Sequence, residues 1–181
     1  IEGSDKMQIL KMLTRLRQLC LEPRLVYDNI DQPSSKLKAC MELIKTMQEN
    51  KQKVLLFSSF TSALDLIAEE CQKAGITYYM LTGSTNKEER RELVSRFQKD
   101  DTTLFLISLK AGGTGLNLTS AENVIHYDPW WNVSAQNQAT DRAYRIGQKS
   151  NVQVFNLVMK DSVEEKIIEM QKRKKELADM F

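Results

Sequence analysis

The chain has 181 residues, 41% of them hydrophobic and 28% charged, which suits one well-buried soluble domain with an extra helix at either end. No apolar run approaches the ~20 residues of a membrane span, no signal-peptide pattern opens the chain, and a formal charge of +2 points to nucleic acid only through a local patch. Cys20, Cys40 and Cys71 are widely spaced and form no CxxC pair, so they read as reduced core thiols of a cytosolic or nuclear protein rather than disulfides or zinc ligands.

In chain order, the first predicted helix begins after Ser4, carries Ile9, Leu10, Leu13, Leu16 and Cys20 on one side, and stops at Pro23. Residues 27–35, YDNIDQPSS, are polar and contain proline, which marks a linker or exposed loop. The expected division is therefore 1–35 as linker, 36–160 as the main domain and 161–181 as a C-terminal helix. The helix over 36–49 repeats Leu37, Cys40, Met41, Ile44 and Met47, a core stripe.

From residue 53 onward, short apolar runs alternate with helical patterns. Residues 54–57 predict a buried strand, followed by a helix capped by Thr61, buried through Leu64, Ile67 and Cys71 and ended by Gly75. Residues 77–81 form the next strand, and Thr85 with Glu88 reads as a capping box before a helix that buries Leu93, Val94 and Phe97. Strands over 103–107, 123–127 and 153–159 follow, and Ser162 with Glu165 caps the last helix. This rhythm predicts an α/β fold with a mostly parallel central sheet flanked by helices on both faces. His126, the single histidine, sits inside an apolar run and reads as structural. The run 172–175, KRKK, is diluted by Glu169, Glu176 and Asp179 and reads as a solvated helix face.

In open α/β sheets the working residues gather beyond the carboxyl ends of the strands. Ser58 and Ser59 follow the first strand, Gly83 and Ser84 the second, Ser108 and Lys110 the third, and Asp128 to Asn132 the fourth. Small hydroxyls and backbone N–H groups along that edge suit a phosphate backbone without base reading. Trp130 and Trp131 offer either a stacking surface or a hydrophobic plug. Gly112, Gly113 and Gly115 permit close backbone approach to an anion or to a neighbouring chain. If Ser134 caps the next helix, Gln138, Arg142 and Arg145 fall at i, i+4 and i+7 and share one stripe. Two arginines on one stripe suit a polyanion or a transferred phosphoryl group. Equally, cations near a helix C-terminus, with Gly147 just beyond, favour the helix dipole. Spacing alone leaves both readings open.

The string DRAYRIGQ at 141–148, with KAGGTGLNLTSAENVIHYD before it, VLLFSSFTSALDLI at 54–67, LTGSTNKEERRELVSRFQ at 81–98 and QLCLEPRLV at 18–26, resembles the Swi/Snf-type family of helicase-like ATPases in helicase superfamily two. The chain departs from that family at Val133, where a proline is usual, and at Leu21-Glu22, where many members carry Asn-His. The resemblance implies the C-terminal RecA-like motor domain, with N-terminal linker helices and a C-terminal helix. It implies nucleotide contacts from Gly113, Gly115, Gln138, Arg142 and Arg145, the two arginines acting as fingers on ATP. Contacts to the backbone of double-stranded DNA would come from Ser58, Ser59, Gly83, Ser84, Ser108, Lys110, Asn117 and Trp131. The phosphate loop GxxxxGK[ST] is absent from this sequence. The family places that loop and the Mg²⁺ site in an N-terminal RecA-like domain, so ATP and Mg would be held mainly there and this stretch alone would be inactive. Implied partners are duplex DNA, that N-terminal domain and DNA-bound proteins as remodelling targets, with no membrane. The implied compartment is the nucleoid-containing cytoplasm of a bacterium or the nucleus of a eukaryote. A dinucleotide-binding enzyme is the poorer reading, because SSFTSA rather than GxGxxG follows the first strand. A catalytically silent RecA-like interaction module is the alternative.

Overall fold

A computed structural model describes residues 2–27, 32–111, 116–130, 132–141 and 151–180. Gly112, Gly113, Gly115, Trp131, Arg142, Arg145 and Gly147 lie outside the described residues. The strands β1 (Val54–Ser58), β2 (Tyr78–Leu81), β3 (Leu104–Ser108), β4 (Asn123–His126) and β5 (Gln153–Asn156) form one sheet in the order β2-β3-β1-β4-β5. Every pairing is parallel, so the predicted mostly parallel sheet is parallel throughout. β1, β3 and β4 are buried along their whole length, as strands covered on both faces must be.

The helices are α1 (Glu2–Leu21), α2 (Ser35–Glu49), α3 (Thr61–Ala74), α4 (Lys87–Lys99), α5 (Val133–Asp141) and α6 (Val163–Asp179), with a 3-10 turn at Pro23–Leu25. Alternation along β1 sends Val54 and Leu56 toward α2 and α3, where they meet Leu37, Ile44, Leu64, Ile67 and Cys71. Leu55 and Phe57 point to the other face and pack with Phe97 of α4, Ala139 of α5 and Trp130. Cys40 and Cys71 are buried in the first layer; burial pushes the Cys40 thiol far up and that of Cys71 up to about 12, so both stay protonated and unreactive.

Several boundaries fall elsewhere than the sequence predicts. α1 starts at Glu2, ahead of Ser4, and its apolar stripe is largely uncovered: Ile9 and Leu10 are 58% and 61% exposed, whereas Cys20 and Leu21 are buried. Only the end of α1 thus joins the core, held by the Tyr127 hydroxyl donating to the Leu21 carbonyl at 2.9 Å. The first residue of α3 is Thr61, and no side chain of its N-cap residue, Phe60, caps it; instead Ser58 Oγ accepts from the Phe60 N–H at 3.2 Å. α4 is capped by Asn86, which accepts from Glu89 N–H at 2.8 Å, because Thr85 is already accepting from Thr82 N–H at 3.0 Å. α5 begins at Val133 rather than after Ser134, and Asn132 Oδ1 accepts from Ala135 N–H at 3.3 Å. β5 ends at Asn156, three residues early. Gly75 ends α3 with φ of 69°, the left-handed conformation expected of a glycine stop.

α6 is fixed by a buried ion pair. Lys36 Nζ donates to both Glu164 oxygens at 2.7 Å, and Met159 N–H donates to Glu164 Oε1 at 2.7 Å. Burial nevertheless raises the Glu164 carboxyl, the desolvation outweighing its partners. Among the described residues no helix is long and apolar enough to cross a membrane.

Candidate nucleic-acid interface

The parallel register brings the carboxyl ends of the strands to one edge, with Ser58 of β1 directly beside Ser108 of β3. Leu109 N–H donates to the Ser58 carbonyl at 3.0 Å, extending the ladder one residue past the strands. The next turn closes through Ala111 N–H to Ser108 O at 3.0 Å and leaves Lys110 exposed. Beyond β2, Thr82 and Ser84 share a hydroxyl contact of 2.8 Å, and Gly83 and Ser84 are exposed. A Cβ built on Gly83 would lie 3.7 Å from Lys110 Cβ, so these two turns are neighbours. Asn117 is also exposed, and its segment is tied to α4 by Ser120 N–H donating to Gln98 Oε1 at 3.0 Å. On this half of the edge the structure thus places Gly83, Ser84 and Lys110 at the surface, and Asn117 is exposed on the segment beside α4.

The other half is arranged differently. Ser58 is fully buried and its hydroxyl donates to Asp128 Oδ1 at 2.6 Å. Ser59, half-buried, donates to the same carboxylate through its N–H at 3.1 Å and through its hydroxyl. Arg17 of α1 completes the cluster, donating to Ser59 Oγ at 2.9 Å and standing 3.5 Å from Asp128 Oδ2. The guanidinium lies 5.0 Å from the centre of the Phe60 ring. Ser108 is buried as well, its hydroxyl without a hydrogen-bond partner among the described residues. Ser58, Ser59 and Ser108 therefore sit at the predicted edge, yet their hydroxyls point into the protein's own polar network or its interior.

Arg17 is the residue that reading the sequence for chemistry passes over, and Asp128 enters that reading only as the start of the stretch after the fourth strand. Asp128 carried a weak signal, since a carboxylate directly after an apolar strand must find donors if it is buried. Arg17 carried none beyond its place on the first helix.

Trp130 is a plug: it is 2% exposed and meets Phe57 and His126 edge-on, with centroids 6.2 and 5.6 Å away. His126 is structural, as expected; burial lowers its pKa to about 4, and Nε2 meets Thr140 Oγ1 at 2.9 Å. That contact anchors α5 to β4, with Ala139 inward and Gln138 exposed. Gln138 is the member of the Gln138, Arg142 and Arg145 stripe within the described residues. Hydroxyl, amide and cationic donors at this edge match phosphate oxygens in chemistry.

Residues 35–147 match the model of the helicase conserved C-terminal domain family. The chain is 41% identical over 183 residues to the putative ATP-dependent helicase/translocase YwqA of Bacillus subtilis, covering 97% of this chain and 20% of that protein. It is 39% identical over 178 residues to the SWI/SNF-related matrix-associated actin-dependent regulator of chromatin subfamily A member 1 of Mus musculus, covering 91% of this chain and 17% of the relative. It thus spans about a fifth of the length of these relatives. Among solved structures, the Sulfolobus solfataricus SWI2/SNF2 ATPase core in complex with dsDNA superposes with a TM-score of 0.81 at 35% identity, covering 95% of this chain and 37% of that one. The five-stranded parallel sheet with its helices is the RecA-like fold of those ATPase cores. The chain belongs to the helicase conserved C-terminal domain family and, within it, to the Swi/Snf type of helicase superfamily two.

Proposed function

We propose that this domain is the DNA-gripping half of an ATP-dependent double-stranded DNA translocase that remodels nucleoprotein. The observation that carries the reading is the open part of the carboxyl edge, where Gly83, Ser84 and Lys110 are exposed together, with Asn117 exposed on the segment beside α4. Such a surface holds phosphates and reads no bases. The similarity to an ATPase core solved with dsDNA supports DNA binding. Ser58, Ser59 and Ser108 shape the edge from within, and Trp131 couples duplex engagement to hydrolysis. Gly113, Gly115, Gln138, Arg142 and Arg145 serve the nucleotide. ATP and Mg²⁺ are held mainly by a preceding RecA-like domain, so this domain alone turns over no ATP. The protein works where its DNA lies, in the nucleoid or the nucleus.

The test is Arg145→Lys in the full-length protein. Lysine keeps the charge, so a helix-dipole role survives the exchange. An arginine finger does not, because its planar fork stabilises charge spread over the phosphoryl oxygens and is worth ~10³ to 10⁵ in rate elsewhere. With partial rescue by Arg142, DNA-stimulated turnover falls at least about a hundredfold, while melting temperature and duplex affinity barely change. Turnover within a few-fold of the parent makes Arg145 a helix cap and favours the catalytically silent interaction module.

A further inference from the structure

We infer that Arg17 is a positioning residue for the DNA-facing edge: it cancels the charge of Asp128 and fixes the turn at residues 58–60 that Asp128 organises. Asp128 is 2% exposed and gathers Ser58 Oγ, Ser59 N–H and Ser59 Oγ, the groups that would otherwise be free to meet a phosphate. A carboxylate at that place holds the turn and at the same time projects negative charge toward a surface meant for a polyanion. Arg17 resolves the conflict from outside the sheet. One nitrogen, Nη2, reaches Ser59 Oγ at 2.9 Å and Asp128 Oδ2 at 3.5 Å, and the guanidinium is stacked against Phe60. The Arg17 side chain is 15% exposed and sits where α1 leaves solvent and enters the domain; upstream, Met7 and Met12 are 58% and 66% exposed. A shift of α1 would therefore carry the cation away and leave the edge with an uncancelled carboxylate. Duplex grip depends in this way on where the linker helix lies.

This rests on the DNA-motor reading, and its test separates the two. In the full-length protein, ATP turnover is titrated with duplex DNA for the parent, Arg17→Met, Arg17→Lys, Asp128→Asn and the Arg17→Met, Asp128→Asn double variant. An uncompensated unit charge roughly 12 Å from a phosphate, at an effective dielectric near 20, is worth about tenfold in affinity. Arg17→Met therefore raises the half-saturating duplex concentration about tenfold, with turnover at saturating duplex within about threefold of the parent. Arg17→Lys recovers most of the loss. In Asp128→Asn the amide oxygen still accepts from Ser58 while the negative charge is gone, so half-saturation stays at or below the parent value, and the double variant returns to within about threefold of the parent. A purely structural role predicts the opposite sign for Asp128→Asn and losses that add in the double variant; either result overturns the inference, as does an unchanged half-saturation in Arg17→Met. A parent whose turnover duplex DNA does not stimulate overturns the motor reading itself and takes this inference with it.

Discussion

Two halves of one sheet edge use the same residue types to opposite ends. Around β1 and β4, Ser58 and Ser59 give their donors to Asp128 and are locked by Arg17. Around β2 and β3, Gly83, Ser84 and Lys110 stand at the surface. The difference lies in what each half finds opposite it: a buried carboxylate with a cation behind it on one side, solvent on the other. A hydroxyl after a strand is thus available to a ligand only where no internal acceptor has claimed it. The closed half should answer to changes that alter folding, and the open half to changes that alter binding.

Acid gives the largest expected contrast. His126 in the closed half has its pKa lowered to about 4 from 6.5 by burial. The unfolded chain takes up a proton below pH 6.5 while the folded chain stays neutral until about pH 4, so stability falls as pH falls through that window. At ~1.36 kcal/mol per pH unit the loss approaches about 3 kcal/mol by pH 4. Urea unfolding of the parent and of His126→Gln, followed from pH 7 to pH 4, checks it: the glutamine variant lacks this component of the acid slope. Identical slopes would show that the histidine is open to solvent.

Ser58→Ala comes next. It removes a donor to a buried carboxylate and the acceptor of the Phe60 N–H. Hydrogen bonds to charged groups are worth ~1.5–3 kcal/mol, so a stability loss of about 2 kcal/mol is expected with duplex affinity little changed. If instead affinity falls and the melting temperature holds, the Ser58 hydroxyl reaches the ligand and the halves are not distinct.

Much of this fold was readable because its strands are apolar runs set between helices with a stop such as Gly75 or a cap such as Ser162, which accepts from Glu164 N–H at 3.1 Å. The caps near Thr61 and Thr85 were misplaced by a residue or more because neighbouring hydroxyls compete: Thr85 serves the Thr82 N–H, leaving Asn86 to cap α4. The open half of the edge could be read from position alone, since each residue follows its own strand. The closed half could not. Arg17 and Asp128 lie more than a hundred residues apart, and no local pattern announces that α1 will bring a cation to the end of β4. Nor did the apolar stripe of α1 foretell its exposure, because periodicity records amphipathicity and says nothing of which surface covers it.

The smallest expected effect falls on the open half, where Lys110→Ala isolates one charge. Alanine keeps the Cβ that lies 3.7 Å from where a Gly83 Cβ would stand, so the packing of the two turns survives. The lysine is exposed, and exposed substitutions away from special features change stability by ~0.5 kcal/mol or less. A single phosphate contact releases about one counterion, so the logarithm of duplex affinity against the logarithm of salt should flatten by ~0.9. At low salt the expected loss of affinity is about fivefold, equal for duplexes of unrelated sequence because a phosphate carries no base identity. Fluorescence anisotropy with two unrelated duplexes at three salt concentrations measures both quantities. An unchanged slope would place the phosphate backbone away from Lys110, and unequal losses on the two duplexes would mean that this edge reads bases after all.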